Sequence, residues 1–168
     1  MDILRAGCYE RKEGIMSLFL VQHGKSLPKD KDPKKGLSEE GAAETERIAE
    51  VAKGYGVHVS RITHSGKARA LQTAEIFASA LEPEGGVQES SGLNPLDDVT
   101  AFAGNIDSTE DQMLVGHLPF MERMTAYLIT GSMEKPVFKF QNSGIVCLDK
   151  DPDTRSWVIK WALMPNIG

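Results

Sequence analysis

Two histidines and one arginine in this 168-residue chain stand where they could handle a phosphoryl group. His23 and His117 each sit beside a glycine at the end of an apolar run, in Gln22-His23-Gly24 and in Gly116-His117-Leu118-Pro119, and Arg69 opens Arg69-Ala70-Leu71-Gln72-Thr73-Ala74. An imidazole with one ring nitrogen pinned by a backbone carbonyl presents the other as a neutral nucleophile. An arginine in the first turn of a helix supplies a fork for phosphate oxygens, and the helix N-terminus adds a favourable dipole. A second histidine, if protonated near bound phosphate, adds a donor and a positive charge where charge develops in the transition state. If the three converge, they form a phosphoryl-transfer pocket that needs no metal. Singly, each has a plainer role: a histidine capping a core strand, a charge on a helix surface, a residue preceding a helix.

The elements that must position them are strands passing into helices. Leu18 to Val21 reads as a buried strand that delivers Gln22, His23 and Gly24 to the rim of the core. Arg61 to Ser65 is a short strand-like run, followed by a helix from Ala68 to about Leu81 with Arg69 in its first turn. Gln112 to His117 is an apolar strand, and Pro119 opens a helix from Phe120 to Ile129. A further helix starts at Ser38 as its cap, carries Glu39 and Glu40 in its acidic first turn, buries Ile48, Val51 and Ala52, and stops at Gly54 and Gly56. Between them, Lys25 to Gly36 is rich in lysine, aspartate and proline and is expected to be a mobile loop beside His23, either a solvated connection or a phosphate-facing lid. A short helix is predicted near 99–103. Ser143 to Leu148 and Trp157 to Leu163 read as strands joined by a hairpin turn at 149–153. Alternating strands and helices predict an α/β fold in three layers, a mostly parallel central sheet with helices on both faces and an antiparallel hairpin at the C-terminal end.

Composition narrows the functions. One domain, residues 16–168, is expected after an N-terminal arm or extension at residues 1–15, and a chain of this length buries about two-thirds of its unfolded surface. With 24 acidic and 19 basic residues spread through the chain, the net charge is -5, no nucleic-acid surface is expected, and any anion site must be built locally. Cys8 and Cys147 are the only cysteines and are expected to be plain structural thiols in a reducing, cytoplasmic setting. Neither has an arginine six residues on, so a cysteine-dependent phosphatase loop is not encoded. Four histidines without a paired spacing and without clustered carboxylates give no support for a metal, no cofactor is implied, and no apolar run is long enough to span a membrane.

Residues 16 to about 165 resemble the histidine phosphatase superfamily, the phosphoglycerate mutase-like fold, and most of all its short SixA-type phosphohistidine phosphatases. Gln22-His23-Gly24 matches the family's Arg-His-Gly opening, and Leu37-Ser38-Glu39-Glu40-Gly41 its Leu-Thr/Ser-x-x-Gly helix start. Ser65 to Ala74 matches Ser-x-x-x-Arg-Ala-x-Gln-Thr-Ala, and Gly116 to Pro119 matches Gly-His-x-Pro. The resemblance implies that His23 becomes transiently phosphorylated, that Arg69 and His117 hold the phosphoryl oxygens, and that Gln22, Gly24, Ser65 and Lys25 border the substrate. It implies no cofactor. The short spacings leave little room for a large inserted cap, which suits a phosphate displayed on another protein, so a histidine-phosphorylated protein is the expected substrate.

Two departures from the family pattern shape the alternatives. Gln22 stands where the family has arginine, and loss of one preorganised transition-state donor costs about 3 to 4 kcal/mol. Lys25 or Lys67 is a candidate to return the missing charge. The general acid of many members has no counterpart in a recognisable motif; Glu89, Asp97 and Asp98 are the candidates, and Gly92 falls about where the usual glutamate would. Phosphohistidine, with a less basic leaving group than an alkoxide, asks less of such an acid. The alternatives are a small-molecule phosphomonoesterase and a phosphate- or phosphoprotein-binding module without turnover.

Overall fold

A computed structural model describes residues 16–107 and 109–167. The expected N-terminal arm, and Cys8 with it, lies outside the described residues.

The central strand is β1 (Ser17–Gln22), whose SLFLVQ sequence is buried along almost its whole length. A strand covered on both faces has no solvent side, so apolar residues run without alternation. Leu18 and Leu20 enter one core cluster, Phe19 and Val21 the other. Along the chain follow α1 (Glu39–Gly54), β2 (Arg61–His64), α2 (Ala68–Leu81), β3 (Val87–Glu89), α3 (Val99–Gly104), β4 (Gln112–Gly116), α4 (Phe120–Thr130), β5 (Ile145–Lys150) and β6 (Trp157–Leu163). The sheet order is β3-β2-β4-β1-β5-β6. The pairs β3–β2, β2–β4 and β4–β1 are parallel, while β1–β5 and β5–β6 are antiparallel. This is the expected mostly parallel sheet closed by a C-terminal hairpin.

Helices α1 and α2 cover one face, packing Ile48, Ala49, Ala52, Ala74 and Phe77 against Phe19, Val21, Ile62 and Val115. Helix α4 and the short α3 cover the other, packing Phe120, Met121, Met124 and Val99 against Leu18, Leu20 and Leu114. Ser38 caps α1 as expected, its hydroxyl accepting from the amide of Gly41 at 3.0 Å.

Three details differ from the sequence reading. Ala49, not Val51, completes the buried stripe of α1; Val51 is 38% exposed. Strand β3 was not expected, because three residues with only one apolar member give no periodic signal and are held by pairing with β2. Strand β5 begins at Ile145, since Ser143 takes a positive φ of 64° and ends the preceding turn. Cys147 is a free, buried thiol in β5.

Candidate active site

Because β1, β2 and β4 run parallel, their C-terminal ends open on the same edge of the sheet, which is where ligand sites of open α/β sheets form. His23 follows β1, Ser65 follows β2 and His117 follows β4. Gln22 pairs in register with Gly116, and the amide of His23 donates to the carbonyl of Gly116 at 3.0 Å. The two histidines are thereby brought side by side, with ring centroids 4.9 Å apart and planes inclined at 57°.

His23 is held at both ring nitrogens. Nδ1 lies 2.7 Å from the carbonyl oxygen of Gly24, and Nε2 accepts the Nε–H of Arg69 at 3.0 Å. Proton on Nδ1 and lone pair on Nε2 satisfy both contacts together. Burial, together with the charges of Arg69 and Lys35, outweighs the Gly24 hydrogen bond and lowers the pKa of His23 from 6.5 to about 4. The imidazole is therefore neutral at physiological pH, as a nitrogen nucleophile must be.

Arg69 stands in the first turn of α2, whose start is set by the turn after β2. There Gly66 adopts φ 84°, a conformation glycine takes without strain, and its amide donates to Nδ1 of buried His64 at 3.0 Å. His64 thus serves the turn at the end of β2. Thr73, one turn beyond Arg69, accepts the amide of Gly24 at 3.0 Å and donates back to the carbonyl of Arg69. One threonine so ties the loop carrying the nucleophile to the helix carrying the arginine.

His117 is 2% exposed. Its Nε2 lies 2.6 Å from the hydroxyl of Ser65, while Nδ1 is buried without a partner in the protein. Burial first, then the charges of His23, Arg69 and Lys67, lowers its pKa to about 3. With the Ser65 hydroxyl donating to Nε2, the proton resides on Nδ1, and a buried unpartnered donor is the group an incoming phosphoryl oxygen would satisfy.

The remaining residues of the sequence reading fall as follows. Gln22 leaves its Oε1 buried without a partner and its backbone carbonyl bonded to the amide of Ser143. Lys25 is turned away onto α1, pairing with Glu40 at 2.5 Å and Glu44 at 3.6 Å. Asp97 accepts the amide of Asn94 and Asp98 caps α3, so both carboxylates are occupied by backbone. Glu89 flanks the β2–α2 turn, its Oε1 lying 2.5 Å from where a β-carbon on Gly66 would be. His58 is exposed and pairs with Asp111.

Sequence reasoning missed the rear support of the site. Asn142 donates its amide to the carbonyl of His23 at 2.7 Å, and Ser143 contacts Thr45 of α1 at 2.8 Å between hydroxyls. The pair Asn142-Ser143 precedes a strand, without charge or periodicity to single it out. Nor was Lys35 singled out, although its charge acts on His23. The loop that bears it is a closed hairpin: Ser26 bridges Leu37, and the amide of Leu37 donates to Oε1 of Gln72 on α2 at 2.7 Å. A separate groove of about 830 Å³ lies over β2, β3 and β4 beside α3, lined in part by Arg61, Gln88 and Asn105 but by neither histidine. Among the described residues no cluster of three or more histidine, cysteine or carboxylate groups could hold a metal ion, and no helix is long and apolar enough to cross a membrane.

A mostly parallel central sheet covered by helices on both faces is the architecture of the histidine phosphatase, or phosphoglycerate mutase-like, fold. The SixA type is the family this chain matches best by sequence and by structure. No family model matches the chain. It is 24% identical over 156 residues to the phosphohistidine phosphatase SixA of Escherichia coli (strain K12), covering 89% of this chain and 94% of that protein. A solved structure of the protein histidine phosphatase SixA complexed with tungstate superposes with a TM-score of 0.76 at 26% identity, over 89% of this chain and 97% of the other. A mycobacterial glucosyl-3-phosphoglycerate phosphatase shares the fold alone, with a TM-score of 0.64 at 14% identity over 91% of this chain and 100% of that one.

Proposed function

We propose that the chain is a metal-independent phosphohydrolase that dephosphorylates phosphohistidine in a protein through a phosphate carried on Nε2 of His23. The observation that carries this reading is the double constraint on His23, with Nδ1 on the Gly24 carbonyl and Nε2 facing Arg69. In the first step the Nε2 lone pair attacks phosphorus, the bond from phosphorus to the substrate's imidazole nitrogen breaks, and that nitrogen takes up a proton from solvent. In the second, water attacks phospho-His23, inorganic phosphate leaves, and His23 regains its lone pair. Arg69 and the Nδ1–H of His117 donate to the phosphoryl oxygens in both steps. The likeness to SixA supports phosphohistidine as the substrate class, and a site at the open edge of the sheet suits a phosphate presented on another protein. A cytoplasmic location fits this reading.

A second reading rests on Gln22. An amide with a buried, unpartnered oxygen where a cation would help is compatible with a module that binds a phosphoprotein and does not turn it over.

Single-turnover hydrolysis of phosphoramidate beside para-nitrophenyl phosphate, without added metal and with acid-labile phosphoenzyme trapped, separates the two. Turnover with phosphate on His23, lost in His23→Ala, is the expected result. Folded protein that binds phosphate but neither turns over nor forms phosphoenzyme would replace the first reading with the second.

A further inference from the structure

A phosphoryl group arriving at His23 carries up to two negative charges, and the residues touching the nucleophile answer with one guanidinium. His23 and His117 are held neutral, Gln22 is an amide, and Lys25 is paired with Glu40 and Glu44 on α1. Two lysines remain close enough for their charge to act on the histidines: Lys67 on His117, and Lys35 on His23. Neither makes an ion pair among the described residues.

Lys35 is held by its hairpin rather than by a partner for its ammonium. Asp32 grips the tip, its carboxylate accepting the amides of Lys34 at 3.0 Å and Gly36 at 2.7 Å and its carbonyl accepting the amide of Lys35 at 2.9 Å. The amide of Leu27 closes onto the carbonyl of Gly36 at 2.8 Å. Lys35 itself adopts φ 53°, a left-handed conformation uncommon for a residue with a side chain. Next to it, Gly36 lies so close to Gln72 that a β-carbon there would come within 3.0 Å of Oε1, and Gln72 is one turn along α2 from Arg69. The hairpin is thus docked through Gly36 and Leu37 onto Gln72 of the helix that carries Arg69, and Lys35 is the exposed residue next to that contact.

We propose that Lys35 is a phosphate-binding residue of the His23 site, presented by the hairpin 26–37 so that its ammonium pairs with the phosphoryl group and returns charge that Gln22 does not supply. The proposal rests on the reading of His23 and Arg69 as a phosphoryl pocket, and it makes the hairpin part of the site.

The test is calorimetric binding of inorganic phosphate to the full chain, which does not depend on turnover. Lys35→Gln is expected to weaken phosphate about fivefold, the loss typical of one partly solvated ion pair, with the gap closing as salt is raised. Lys35→Arg should stay within about twofold of wild type, and Lys34→Gln, the neighbour in the same hairpin, should bind as wild type does. Histidine NMR titrations give a second readout: Lys35→Gln should raise the pKa of His23, and Lys67→Gln that of His117. Unchanged phosphate affinity and His23 titration in Lys35→Gln would overturn the proposal, as would equal losses in the Gln and Arg variants. Lys35-dependent binding without turnover would uphold it and reject the enzymatic reading. Turnover with Lys35-independent binding would do the reverse.

Discussion

Arg69 donates its Nε–H to Nε2 of His23 over 3.0 Å, and that contact fixes the protonation state of the candidate nucleophile. A nitrogen that accepts from a guanidinium carries no proton, so the ring's single proton lies on Nδ1 against Gly24. With the pKa lowered to about 4, phosphoenzyme formation in a single turnover should hold its rate between pH 7 and pH 5. A histidine titrating at its ordinary value would by then have lost about thirtyfold of its neutral form. A loss of that size by pH 5, with His23 NMR titrating near its ordinary value, would remove the assignment.

The same shifts make stability depend on pH. Unfolded histidines take up protons near 6.5, while His23 and His117 in the folded state do so only near 4 and 3. Between these values the unfolded state binds more protons, so stability falls as pH falls. Their contribution is whole above about pH 6.5 and is lost progressively as pH drops toward the folded-state values. Urea midpoints at pH 7 and pH 5 should therefore differ more for wild type than for a His23→Ala, His117→Ala double variant. Equal differences would mean that neither histidine carries the acid sensitivity.

The hydroxyl of Ser65 lies 2.6 Å from Nε2 of His117 and holds that side of the ring. Ser65→Ala leaves Nε2 of a buried imidazole unsatisfied, a penalty of about 1–3 kcal/mol. It also frees the ring to change tautomer, so turnover should drop about tenfold, mainly in kcat, as expected when a transition-state donor is loosened but not removed. Urea unfolding and steady-state kinetics measure the two effects. A variant as stable and as active as wild type would show that Ser65 does not set His117.

The core of the sheet and the three converging residues were legible because β1 and β4 are apolar runs that lead into a glycine-histidine pair, and each long helix opens with a cap, a proline or a run of strong helix formers. What escaped had no local signal. Asn142 reaches His23 only because the turn before β5 lies against β1, a contact across more than a hundred residues. Lys25 looked like a pocket residue by sequence proximity to His23, yet a side chain on the residue after Gly24 is free to turn, and Glu40 and Glu44 in the first turns of α1 draw it away. Lys35, farther along the chain, comes back because its loop closes on itself.

Gln22→Arg probes how much charge the site lacks. A missing transition-state donor costs a hundredfold to about a thousandfold, but the charges of Lys35 and Lys67 already act on His23 and His117. The substitution should therefore raise kcat/KM for phosphoramidate by only about threefold to thirtyfold in wild type, and by more in a Lys35→Gln background. An identical gain in both backgrounds would mean that Lys35 and the introduced arginine do not serve the same group.

Gly41→Ala reverses an ordinary expectation. Inside a helix, exchanging glycine for alanine stabilises by about 0.8–1.0 kcal/mol. Gly41, in the first turn of α1, is the exception because the backbone of Lys25 crosses it: a β-carbon there would collide with the carbonyl oxygen of Lys25 and lie 2.8 Å from its amide nitrogen. That same carbonyl accepts the amide of Ser38 at 2.9 Å, so the chain just beyond His23 is stitched to the start of α1 and cannot move aside without breaking the cap. The closing glycine of Leu37-Ser38-Glu39-Glu40-Gly41 is thus required by close approach and not by backbone angle. Gly41→Ala should destabilise by about 1–3 kcal/mol, the usual cost of overpacking, and should displace His23 enough to lower kcat. Gly54→Ala, at the far end of the same helix where a β-carbon meets nothing within 4 Å, is the matched control and should be neutral or stabilising. Equal urea midpoints for the two alanine variants would show that α1 and the His23 loop can separate at no cost, and the helix would lose its part in holding the nucleophile.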